Sequence, residues 1–184
     1  MSGSEPSTAA PAPADELLSV LQVTVAGVDV AIEAGWVGAI AETVSVTPVP
    51  RTAPAVAGVA AIDGDVTAVI DAAVVFGRPP SDATTDRPVV RLARDRGETV
   101  GLLVDEVGTF ENVPISLVEP VDRDRPADPF GAAADESPSP PSVDARTSHW
   151  FRAVVEPDGE RRPDPVGVLD VNYLLQLVAT TTQT

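Results

Sequence analysis

Three places in this sequence carry side chains of the kind that perform chemistry: His149, the pair Asp105-Glu106, and the turn Asp63-Gly64-Asp65. A histidine suggests a general base. His149 is the only histidine, and it stands beside Trp150 at the edge of a Pro- and Asp-rich stretch. A triad needs a nucleophile, a base and an orienting group in register, and the residues around His149 read as an ordinary strand edge. Adjacent carboxylates suggest a hydrolytic pair. Neighbours on a strand point to opposite faces, so Asp105 and Glu106 do not flank one bond. The acidic turn suggests a cation, but a Ca²⁺ loop needs more oxygens at fixed spacing. Asp-Gly between two β-type runs is a hairpin signal. With no cysteine and one histidine, zinc would have to be held largely by carboxylates, outside its usual ligand set. Neither GxxxxGK[ST] nor GxGxxG occurs, so nucleotide binding has no support. The expectation is a protein without catalytic residues, cofactor or metal.

Charge narrows the partners. The formal net charge is −16, and all twelve basic residues are arginine. An acidic, Lys-free, Ala- and Val-rich chain resembles the proteins of salt-accumulating halophiles. At molar salt the Debye length falls to roughly 3 Å, which screens self-repulsion, while surface carboxylates keep the chain hydrated. Folding is therefore expected to strengthen as salt rises. Duplex nucleic acid is not an expected partner, because it calls for a basic patch. No stretch approaches the roughly 20 apolar residues of a membrane span, and the first residues carry no secretory pattern. The expected location is the cytoplasm, without membrane insertion.

The elements that must position any site are short strands. Residues 1–16 are Pro, Ser, Ala and acid, and read as a disordered tail; the ordered domain is expected over 17–180. A second such stretch, about 120–148, reads as a long disordered loop within the domain. Leu18–Val25 and Val28–Ile32 flank Ala26-Gly27 as a hairpin. Glu33–Ile40 suggests one or two helical turns, and Glu42–Val49 a half-buried strand. Val59–Ile62 and Val66–Ile70 flank the Asp63-Gly64 turn. Asp71 suits an N-cap for a short helix. Val89–Ala93 and Thr99–Val107 form a further hairpin, followed by extended pieces at Thr109–Val113 and Ser116–Val118. Trp150–Glu156 and Pro165–Leu169 are strands, and Asp170 caps a last helix with Leu174, Leu175 and Val178 on one face. Short strands at regular spacing with one terminal helix suggest small β-barrels. Trp36 and Trp150 fit either core packing or an interface anchor.

One phrase occurs twice. Val69-Ile70-Asp71 and Val168-Leu169-Asp170 each end a strand in two aliphatic residues and an Asp before a helical turn. Together with Gly58-Val59-Ala60-Ala61-Ile62-Asp63-Gly64 and the segment VGLLVDEVGTFENVP, Val100 to Pro114, this resembles the CheW-like domain family, over about Leu18 to Leu177. The resemblance implies a mostly β fold of two intertwined five-stranded, SH3-like barrels, with the last helix packed on the first. It implies a non-enzymatic adaptor that couples chemoreceptors to a CheA-type histidine kinase. One subdomain would meet the kinase regulatory domain, and an apolar groove between subdomains would take the chemoreceptor cytoplasmic tip. The residues singled out for protein contact on that basis are Val59, Ile62, Asp63, Ala39 and Val44. The chain departs from the family where Asp63 replaces an Arg and Ala39 replaces a frequent Glu. Ala68 stands in place of a Pro, and Ala153 in place of a Gly. Two other readings stand beside it: a divergent scaffold of this fold with a different protein partner, and a halophilic β-barrel enzyme or ligand-binding domain. A shallow apolar groove favours the adaptor, and a deep polar pocket with convergent titratable groups favours the last.

Overall fold

The computed structural model describes residues 16–80, 87–93, 99–121, 150–159 and 162–181. The tail expected at 1–16 and the loop expected at about 120–148 lie almost wholly outside the described residues, as does His149.

Among the described residues, eleven strands form two mixed sheets. The strands are β1 (Leu17–Val25), β2 (Val28–Glu33), β3 (Val37–Val44), β4 (Val56–Ile62), β5 (Asp65–Asp71), β6 (Arg87–Leu92), β7 (Thr99–Leu103), β8 (Glu106–Pro114), β9 (Val118–Pro120), β10 (Phe151–Val155) and β11 (Val166–Leu169). The helices are α1 (Ala72–Val75) and α2 (Val171–Thr181). The larger sheet runs β8-β1-β2-β11-β10-β9 and the smaller β3-β6-β7-β5-β4.

The two orders match strand for strand. In each sheet a hairpin (β1–β2 or β6–β7) lies against one edge strand (β8 or β3) and is joined by a parallel pair (β2–β11 or β7–β5) to a second hairpin (β10–β11 or β4–β5). Even the sixth strand has a counterpart. β9 pairs with β10, and in the smaller sheet its place is held by Thr47, bridged to Val59. The family resemblance implies five strands in each unit. The ladders give six and five, because β9 is just long enough to count as a strand and the Thr47 bridge is not. Among the described residues the pairing closes neither sheet into a barrel. The intertwining is explicit: the N-terminal hairpin β1–β2 completes the sheet made by β8 to β11.

Local signals account for the turns. Ala26-Gly27 and Asp63-Gly64 both have positive φ at the two central residues, the geometry of a tight two-residue hairpin. Asp71 and Asp170 cap α1 and α2: the Asp71 carboxylate accepts from the Ala73 amide at 2.9 Å, and that of Asp170 accepts from the Tyr173 amide at 3.0 Å. Several expectations change. The strand expected over Glu42–Val49 is instead Val37–Val44, with Thr47 left as an isolated bridge. Only Ala34–Trp36 is helical, as a 3-10 turn, because from Val37 onward the backbone pairs with β6. Ser116–Val118, expected as extended, divides: Ile115–Leu117 is a 3-10 turn, and only from Val118 is the chain a strand. Pairing across a sheet outweighs so short a helical pattern.

The sheets share one core. Leu21, Val23, Val30 and Ile32 of the larger sheet pack against Ile70, Val90, Leu92 and Leu102 of the smaller, with Ala72 of α1 and Leu174 of α2 in the same cluster. Phe76, Trp150, Phe151 and Tyr173 meet there, with ring centroids 5.5 to 6.4 Å apart. Each sheet also buries its other face. Val20, Ala31, Val113 and Val168 form one small core, and Val44, Ala60, Ile62, Val69, Val89 and Leu103 the other. Strands buried on both faces read as continuous apolar runs, which is why β7 and β11 show little alternation.

Asp105 marks where the chain changes sheets. The Val104 amide donates to Pro88 in the smaller sheet at 3.1 Å, and the next amide, Asp105, donates to Thr24 in the larger at 2.8 Å. The Asp105 carboxylate pairs with Arg87 of β6 and accepts from the Gly27 amide at 3.4 Å. The adjacent carboxylates therefore have separate duties, one joining the sheets and the other, Glu106, exposed on β8.

Candidate docking surface

Two surfaces stand out, and they share no residue. The first is an open groove of about 570 Å³ beside the larger sheet, lined among others by Leu18, Trp36, Ile115, Val118, Arg152 and Val171. Its position follows from the chain path. Trp36 lies in the 3-10 turn that carries the chain from one sheet to the other, and its carbonyl accepts from the Ala93 amide at 2.8 Å. Ile115 lies in the turn between β8 and β9, and its side chain is 43% exposed. The groove's charged members are engaged. Arg152 pairs with Glu33 at 2.7 Å, and Asp170 caps α2. The lining is mixed: Leu18, Trp36, Ile115, Val118 and Val171 form an apolar strip beside polar groups, which suits an amphipathic protein segment.

The second surface is the β4–β5 hairpin. Gly58 is held at φ +153, and a Cβ there would stand 2.2 Å from the Thr47 carbonyl oxygen. That close approach lets Thr47 exchange hydrogen bonds with Val59 at 2.8 and 2.9 Å, which covers the outer edge of β4. At the tip, Val66 is 73% exposed. The carboxylates of Asp63 and Asp65 lie 3.5 and 3.2 Å from the guanidinium of Arg91 on β6.

The five residues singled out from the sequence divide by burial. Ile62 and Val44 are buried in the small core of the β3–β7 sheet, where they support the hairpin from inside. Val59 and Ala39 are half-buried at the surface, and Asp63 is exposed. Ala39 and Asp63, far apart in sequence, converge on one side chain: Arg91 is the cross-strand partner of Ala39 and the ion partner of Asp63. Trp36 takes the groove position open to an interface anchor, while Trp150 packs against Phe76 and Tyr173. Sequence reading missed Leu18, Ile115, Arg152 and Arg91. Each becomes notable only through strands that are distant in the chain, so no local pattern points to them. Among the described residues no group of side chains could hold a metal ion, and no helix is long and apolar enough to cross a membrane.

Comparison with known proteins agrees with this architecture. No curated protein is similar enough in sequence to match. Among solved structures, the scaffolding protein TtCheW from Thermoanaerobacter tengcongensis superposes with a TM-score of 0.61 at 17% identity, over 84% of this chain and 90% of that one. The family model described as the CheW-like domain matches residues 19–135, which include both β-hairpins of the smaller sheet and the Asp105 crossover. The chain belongs to the CheW-like domain family.

Proposed function

We propose that this protein is a non-enzymatic cytoplasmic adaptor of a salt-accumulating cell, coupling the cytoplasmic tip of a chemoreceptor to the regulatory domain of a CheA-type histidine kinase. The observation that carries the proposal is the open groove over Leu18, Trp36, Ile115 and Val118, an apolar strip beside polar groups whose charged members are already paired. Membership in a family that contains a scaffolding protein supports it. A receptor tip is a helical hairpin, and an amphipathic helix laid in an apolar groove is a recurrent mode of recognition. The β4–β5 hairpin is a separate surface, and an adaptor needs two. In this proposal it meets the kinase regulatory domain, with Val59, Asp63 and Ala39 at or near the contact.

The test is calorimetric titration of a receptor-tip fragment and of the kinase regulatory domain, at fixed high ionic strength. Ile115→Glu places a charge in the groove at an exposed position, so stability should hold while affinity for the receptor tip falls about tenfold or more. Val59→Glu is the companion change on the hairpin and should act on kinase binding. If neither substitution weakens either partner, the assignment of these surfaces is wrong.

A further inference from the structure

The chain passes between the two sheets twice. Strands β1 and β2 belong to the larger sheet, β3 to β7 to the smaller, and β8 to β11 to the larger again. The first passage is the 3-10 turn Ala34–Trp36, which has no side-chain cap and buries none of its residues fully. Its Trp36 lines the groove. The second passage has no loop: β7 ends at Leu103 and β8 begins at Glu106. Here one carboxylate spans both sheets. Asp105 pairs with Arg87 at the start of β6 in the smaller sheet. It also accepts from the Gly27 amide, 3.4 Å away in the β1–β2 turn of the larger. Thr24 holds the same turn: its carbonyl accepts from the Asp105 amide, and its hydroxyl donates to Asp29 at 2.8 Å.

The shared core and this polar junction constrain the sheets differently. The core is mostly Val, Leu, Ile and Ala. Apolar attraction has no preferred direction, so the core resists separation of the sheets more than a small rotation of one on the other. A hydrogen-bonded ion pair does have a preferred geometry. The Arg87 side chain is only 12% exposed. A rotation that drew Asp105 away would strand a mostly buried cation, which is strongly unfavourable. We infer that Asp105 is a positioning residue: its link from Arg87 to Gly27 sets the angle between the two sheets. Because the groove lies beside the larger sheet and the β4–β5 hairpin belongs to the smaller, the same link fixes how these two surfaces stand to one another. This is a property of the chain alone and does not depend on what binds either surface.

Distances between paired spin labels test this. The chain has no cysteine, so introduced cysteines are labelled without competition. Val66→Cys with Phe110→Cys places one label on each sheet, and Val66→Cys with Ile40→Cys places both on the smaller; all three positions are exposed. Asp105→Ala should broaden the distance distribution between the sheets about twofold and leave the distribution within the smaller sheet unchanged. Arg87→Met with Asp105→Ala removes the stranded charge, so its melting temperature should recover toward that of the unaltered chain. Its distribution between the sheets should stay broad, which separates geometry from stability and carries the test if Asp105→Ala alone does not fold. Asp29→Ala removes a hydrogen bond from the same turn but keeps both of the carboxylate's links, and should change neither distribution. An unaltered distribution between the sheets in the double variant would overturn the inference, since the core alone would then set the angle. Broadening within the smaller sheet as well would overturn it too, because the change would be a general loosening. Equal broadening in Asp29→Ala would assign the effect to the turn rather than to Asp105, and would likewise overturn it.

Discussion

The two sheets of this protein are versions of one plan, and their differences separate scaffold from surface. Each has a hairpin, a parallel junction, a second hairpin bent by a register shift, and an Asp-capped helix. The shift falls between Phe151 and Ala153 in β10, and between Val56 and Gly58 in β4. In the larger sheet the second hairpin is deeply packed. Every residue of β11 is buried, and Asp170 opens the eleven-residue helix α2, which inserts Leu174 and Leu175 into the shared core. In the smaller sheet the same phrase ends in a four-residue helix, and its hairpin tip projects into solvent with Val66, Asp63 and Asp65. Burial that one copy spends on packing, the other leaves available for a partner.

The sharpest way to break this comparison is at the register shifts. Gly58 and Ala153 occupy matching places, but only Gly58 has a carbonyl where its Cβ would stand. Gly58→Ala should cost about 3 kcal/mol, through backbone displacement at Thr47 and a strained φ. Ala153→Gly in the larger sheet should cost only about 1 kcal/mol. Urea melts of the two variants check the pair, and equal losses would mean that the two shifts are interchangeable.

A smaller effect is expected at the caps. Asp170→Ala should cost about 2 kcal/mol, because it frays a long helix that fills the shared core, and Asp71→Ala about 1 kcal/mol at its four-residue counterpart. The order of the two midpoints is the prediction. A larger loss at Asp71 would make the short helix, not α2, the element that closes the shared core.

What was legible in the sequence follows the same division. Ala26-Gly27, Asp63-Gly64, Asp71 and Asp170 were readable because turn and cap chemistry acts over a few residues. The repeated aliphatic-aliphatic-Asp phrase was readable as two capped strand ends, and these fall at matching places in the two strand orders; the two-unit plan itself was implied by the family resemblance. Arg91 carried no signal, since its role depends on β6, β7 and β5 lying side by side. The groove was equally hidden: Leu18, Trp36, Ile115 and Arg152 come together only when β1, β10 and the two 3-10 turns share one end of a sheet. Val44 and Ile62 were readable as apolar but not as interior: β4 alternates buried Ala60 and Ile62 with outward Val59 and Ala61, and because all four are apolar the sequence does not show which face is inside.

The central claim is that one chain holds two partners at once, on surfaces without a shared residue. Sedimentation velocity of the chain mixed with a chemoreceptor-tip fragment and the kinase regulatory domain, in the high salt that its charge calls for, tests it most directly. The account predicts a single ternary species, heavier than either binary complex and reduced to the kinase-bound pair by Ile115→Glu. Two binary complexes that displace each other, or no complex with either fragment, would contradict it.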